Sequence, residues 1–155
     1  MTKLDPPAVL DSARVLAYAV VDESVIYSER DCLFVDGKLP GPVPRLAISQ
    51  KLGESEIMVF HCDNEWRVLG AAGGFSSVRD AKAAVESAYR GLSNKWVDTS
   101  VTEDKAREFL ELEFSAEKCS FCGRLPIHDE QMISKGNLRI CHKCVEKFHK
   151  IVHNE

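Results

Sequence analysis

The sequence predicts an α+β fold: a mostly antiparallel sheet with a packed helix, followed by a small C-terminal module built around a metal ion. Three observations carry this reading. Runs of apolar and β-branched residues, separated by polar turns, fill most of the N-terminal half. A helical apolar period follows them. Near the C-terminus, Cys119-Ser-Phe-Cys122 and Cys141-His-Lys-Cys144 stand eighteen residues apart, the arrangement of two hooks closing on one ion.

The strands come first. The run ARVLAYAVV over 13–21 reads as a strand, and CLFV over 32–35, running into Asp36-Gly37, as a second. Pro40, Gly41, Pro42 and Pro44 then mark a loop or an edge, because proline cannot donate to a central ladder. Residues 46–52 alternate imperfectly, whereas EIMVFHC over 56–62 is a strong strand. Asp63-Asn64-Glu65 makes a polar turn into WRVLGA over 66–71, which completes a hairpin. Gly73-Gly74 is expected to end the strands, for a sheet of about four or five in all.

A helix is expected next. Ser77-x-x-Asp80 is a capping pattern, in which a hydroxyl accepts from an orphan N–H of the first turn. Val78, Ala81, Ala84, Val85 and Ala88 recur at helical spacing, and Gly91 is expected to stop the helix. A connector over 98–116 separates the sheet domain (1–97) from the metal module (117–155). Ser100-x-x-Glu103 is a second capping signal, and Ala106, Phe109, Leu110 and Phe114 form an apolar stripe among acidic residues. That stripe could dock on the sheet, meet the metal module or meet a second subunit.

The sheet domain offers little chemistry. Gly70-Ala-Ala-Gly73-Gly74 lacks the spacing and the lysine of a phosphate loop and reads as a flexible strand-to-helix turn. His61-Cys62-Asp63 cannot form a triad among themselves, since alternate strand residues project to opposite faces. Cys32 and Cys62 read as buried small hydrophobes, and Trp66 and Trp96 as core or interface anchors. No catalytic residue is assigned, and the chain is expected not to be an enzyme.

For the four C-terminal cysteines, the spacing favours a structural zinc site, with every coordination position filled by sulfur. Disulfides are the alternative in an oxidising compartment. No stretch in the first thirty residues reads as a secretory signal, and Asp5, Asp11, Asp22 and Glu23 break the apolar residues there. A cytoplasmic, reducing location is therefore expected. A redox Cys-x-x-Cys pair and an iron–sulfur cluster remain further readings of the same ligands. His142 and His149 are redundant beside four sulfurs and are expected at the surface. Within the module, 129–134 is expected to form a short helix, Leu138-Arg-Ile140 to deliver the second hook, and Val145, Phe148, Ile151 and Val152 to lie on one face of a closing helix.

The run CSFCGR … MIS … ICHKCVE … IV resembles the C4-type zinc finger of the ClpX unfoldase family over about 117–153. The gap between hooks, the glycine after Cys122, the basic Arg124, the pair Met132-Ile133 and Ile140-Cys-x-x-Cys-Val-Glu all agree with that family. The resemblance implies a treble-clef-like module in which Cys119, Cys122, Cys141 and Cys144 bind Zn2+. It also implies contact with proteins: an adaptor, a substrate or a second copy in a homodimer. Two departures are visible. Lys135-Gly136 stands where the family has Gly-Pro, and no Walker motif accompanies the finger.

Charge distinguishes the remaining partners. Residues 1–118 hold 14 Lys/Arg against 20 Asp/Glu, so the body is acidic and disfavours a phosphate-binding surface. Nucleic acid is thus the second choice, through Arg124, Lys135, Arg139, Lys143, Lys147 and Lys150. An enzyme using Cys62 or His61 is the third. No apolar run approaches the roughly 18 residues of a membrane helix.

Overall fold

The computed structural model describes residues 5–28, 41–113, 117–124 and 131–154. The expectations for Cys32–Val35, Asp36-Gly37, Pro40 and Phe114 lie outside these. By compactness the chain divides into two units, 1–106 and 107–155.

In the first unit, the long strands are β2 (Ala13–Val20), β4 (Arg45–Lys51), β5 (Ile57–Cys62) and β6 (Val68–Phe75). They pair antiparallel in the order β2-β4-β5-β6. Two short strands, β1 (Val9–Leu10) and β8 (Val97–Asp98), also pair with β2, and β3 (Ile26–Tyr27) pairs with β7 (Tyr89–Arg90). Among the described residues this makes a curled six-stranded sheet and a separate two-stranded ribbon. The α+β expectation holds, with short strands added at the edges.

Both sheet faces are covered by apolar side chains. On one, Leu46, Ile48 and Val59 pack with Ala81, Val85 and Ala88 of helix α1 (Val78–Ala88) and with Tyr89. On the other, Val15, Ala47, Phe60 and Cys62 pack with Trp66. The strand alternation of β5 sends Val59 to the first face and Phe60 to the second.

Strand β2 changes faces part-way. Its register shifts between Val15 and Ala17, leaving Leu16 as an extra residue opposite β4. Before this bulge, Ala13 and Val15 face the Trp66 side; after it, Ala17 and Ala19 face α1. One inserted residue inverts every later side chain of a strand. Thr99 holds the distortion in place. Its hydroxyl donates to Val15 O (2.6 Å) or Leu16 O (3.1 Å), and its N–H donates to Leu16 O at 2.9 Å.

Gly73-Gly74 does not end the strands. The pair lies inside β6, where Ile57 pairs with Phe75 and Val59 with Ala72, so β6 carries one extra residue there. Gly74 takes that residue's left-handed conformation (φ +84°), and its N–H donates to Glu56 Oε1 at 2.7 Å. The glycine run is therefore a bulged strand rather than a flexible turn.

Helix α1 begins as its sequence predicts, with Ser77 Oγ accepting from Asp80 N at 3.0 Å. It ends earlier than Gly91, because Tyr89 leaves the helix to pair with Tyr27. Helix α2 (Glu103–Glu113) is capped by Thr102, whose hydroxyl accepts from Lys105 N, and not by Ser100. Of its apolar stripe, Ala106 and Leu110 are buried.

Candidate metal centre

The second unit places its cysteines by local backbone hydrogen bonds. In the first hook, Gly123 N donates to Cys119 O at 2.9 Å and Cys119 N to Arg124 O at 2.8 Å, folding the chain tightly on itself. Gly123 takes φ +74°, a conformation that most side chains resist. The second hook starts from a hairpin of β9 (Met132–Lys135) and β10 (Leu138–Cys141), turned by Lys135-Gly136-Asn137. Cys141 ends β10 and caps helix α3 (His142–His153), whose first turn carries Cys144. Ser120 N donates to Arg139 O (2.8 Å) and Arg139 N to Ser120 Oγ (3.0 Å), tying the two hooks together.

The described part of 129–134 is strand, not helix. Met132, Ile133 and Ser134 pair with Cys141, Ile140 and Arg139, and that partner strand overrides the local helical pattern.

All four Sγ atoms lie within 4.8 Å of one another. Cys119 and Cys144 sulfurs are 3.9 Å apart, and those of Cys122 and Cys141 are 3.6 Å apart. A tetrahedron with zinc–sulfur bonds of about 2.3 Å has edges of about 3.8 Å, so the cage has the size of a zinc site. Cys119, Cys141 and Cys144 are buried, whereas Cys122 reaches the surface. Met132, Ile140 and Phe148 pack against the buried three, and Phe121 meets Phe148 edge to face at 5.1 Å. Residues 117–154 match the family model of the ClpX C4-type zinc finger. No curated protein and no solved structure matches the chain.

A ClpX-type zinc-binding finger with four sulfurs placed for one ion points to Zn2+. The donor set supports the fit. Burial opposes ionisation of Cys119, but backbone N–H groups of Cys122, Cys141 and Phe121 outweigh it and bring the thiol down to about 6. Burial, with the neighbouring sulfurs, pushes Cys144 up to about 12, and burial raises Cys141 too. Packed sulfurs cannot share negative charge unless a cation sits among them. Cys141 N also donates to Cys119 Sγ at 3.4 Å, an outer contact that orients a thiolate ligand.

The other candidates fall apart from this centre. His142 Nε2 lies 3.2 Å from Glu146 Oε1, and His149 is exposed on α3, so neither joins the cysteines. Lys143, Lys147 and Lys150 share one exposed side of α3, as a solvated helix face does. His61 and Cys62 point to opposite sheet faces. His61 lines a cleft of about 90 Å3 between β5, β6 and α1, together with Tyr89 and Phe75. Cys62 is buried among Phe60 and Trp66, and that burial pushes its thiol up to about 12, away from nucleophilic use. Among the described residues, no helix is long and apolar enough to cross a membrane.

Sequence reasoning missed two features here. One is the Ser120–Arg139 clasp, because nothing in Cys-x-x-Cys spacing points to residues between the cysteines. The other is the pairing of His149 with His153, whose four-residue separation was a usable signal.

Proposed function

We propose that this chain is a non-enzymatic zinc protein of a reducing compartment such as the cytoplasm, whose finger holds another protein. In this reading Cys119, Cys122, Cys141 and Cys144 are the zinc ligands. The ion builds the module and performs no reaction, since four sulfurs leave no coordination position for water.

The carrying observation is the apolar surface that the finger leaves uncovered. Phe121 is 52% exposed, Ile133 60%, Leu138 54% and Ile151 62%. Of the residues expected on one face of α3, Val145 and Val152 are exposed as well, and Phe148 packs against the sulfurs. Met132, Ile133 and Val145, with Gln131, His142 and Glu146, line a groove of about 320 Å3 between β9 and α3. A small module with this much apolar surface is suited to a partner's apolar face. The likeness to ClpX-type fingers, which implies protein contact, supports the same reading. The first partner we assign is a second copy, because the exposed Phe121, Ile133, Leu138 and Ile151 side chains can face their own symmetry mates.

Native mass spectrometry of the zinc-loaded chain over a concentration series tests this. A dimer should grow with concentration and disappear in Ile133→Asp and Leu138→Asp while each variant keeps one zinc. A chain that stays monomeric throughout would remove self-association from the proposal.

A further inference from the structure

Helix α3 carries imidazole and carboxylate side chains that do not belong to the group of four sulfurs. His142, Glu146, His149 and His153 are spaced by four, three and four residues. At 100° per residue they fall on one side of the helix. His149 and His153 are both exposed, and their ring centroids are 4.3 Å apart with planes inclined by 48°. Neither ring touches the four cysteines as a ligand group.

We propose that His149 and His153 form a chelating site for an exchangeable divalent transition ion of the imidazole-preferring class, Ni2+, Cu2+ or a second Zn2+. Two histidines one turn apart on a helix can present a nitrogen each to one ion. With metal–nitrogen bonds of about 2.0–2.1 Å, the two donor atoms must come to about 3 Å from one another. Rings with centroids 4.3 Å apart reach that by rotation about their side-chain bonds, without unwinding the helix. Neutral imidazole suits these ions, and the order of strength is Cu2+ above Ni2+ and Zn2+.

The two sites would differ in kind. Four sulfurs enclose their ion, whereas two surface imidazoles leave most positions to water. The second ion therefore exchanges freely and can accept a further ligand from outside the chain. Its binding also clamps the last turn of α3, just before Asn154 closes the helix in the left-handed conformation.

The test uses the full chain already holding one zinc. Ni2+ is titrated by calorimetry, and metal content is measured after removal of free ion. The expected result is one Ni2+ per chain with the zinc retained. His149→Ala and His153→Ala should each weaken it by about tenfold or more, and Lys95→Met, in the sheet unit, should leave it unchanged. Three results would overturn the site: no Ni2+ uptake, uptake that survives both substitutions, or uptake matched by equal loss of zinc. Helicity measured alongside should rise on Ni2+ addition in the unaltered chain and stay flat in His153→Ala.

Discussion

The sheet unit and the finger are held together by different things. In the sheet unit, the fully buried side chains include Leu46, Ile48, Phe60 and Tyr89, drawn from several strands and the end of a helix. Among the described residues of the finger, the buried ones are Cys119, Cys141 and Cys144, while Phe121, Ile133, Leu138 and Ile151 stay exposed. A unit of the first kind folds by removing hydrocarbon from water, a driving force that does not depend on a bound ion. A unit of the second kind has too few apolar contacts to fold unaided, and borrows its stability from an ion. Compactness alone does not separate these cases; the identity of what is buried does.

The comparison breaks most sharply if zinc is withdrawn. Chelation, or Cys141→Ser, should unfold the finger and leave the sheet intact, because structural zinc supplies about 10–16 kcal/mol of apparent binding energy to such modules. Amide exchange resolved by residue reads this: protection in β9, β10 and α3 should vanish while β4 and β5 keep theirs. Persistence of finger protection without metal would end the claim that the ion builds it. The reverse experiment is Phe60→Ala, which should cost about 3–5 kcal/mol of sheet stability through the cavity it leaves. Zinc content should stay at one per chain; a drop would mean that the units are not separately stabilised.

Thr99→Val probes a smaller effect. It removes the hydroxyl that serves the bulge carbonyls and should lower the free energy of sheet unfolding by about 1–2 kcal/mol. An unchanged denaturation curve would show that water serves those carbonyls equally well. The smallest effect is electrostatic. Lys95 Nζ lies 2.7 Å from Asp22 Oδ2 and, with Ser24, holds that carboxyl down at about 2. Because the folded value lies below the ordinary one of about 3.9, its contribution is present above that pH and fades as pH falls through about 2. Carboxyl titration by NMR should find Asp22 moving up toward its ordinary value in Lys95→Met, and no movement would show that Ser24 alone sets it.

How much of this could be read beforehand depended on where the governing contact lay. The hooks were legible because metal geometry imposes its spacing on the chain directly. Strands β2 and β5 were legible from their own residues, and Ser77 from its place before an apolar period. Met132–Ser134 was misread because its conformation is decided by β10, and the glycine pair because a bulge depends on the register of the neighbouring strand. Thr102 took the capping place expected of Ser100, two residues along, where local signals cannot choose between adjacent hydroxyls. Short strands such as β1 and β8 carry too few residues for any period. Leu16 was hidden for another reason: the odd-numbered positions of β2 are small or apolar throughout, so the pattern runs on unbroken across a point where the faces exchange.

That exchange sets a rule for how this region can vary by insertion and deletion. Removing Leu16 would restore an unkinked ladder and leave Ala17 opposite Ile48 and Tyr18 opposite Ala47, so the later side chains would keep the faces they now occupy. The segment should thus tolerate loss of that one residue far better than gain of another, which would turn every later side chain to the opposite face, and natural variants are expected to shorten this strand at Leu16 more readily than to lengthen it.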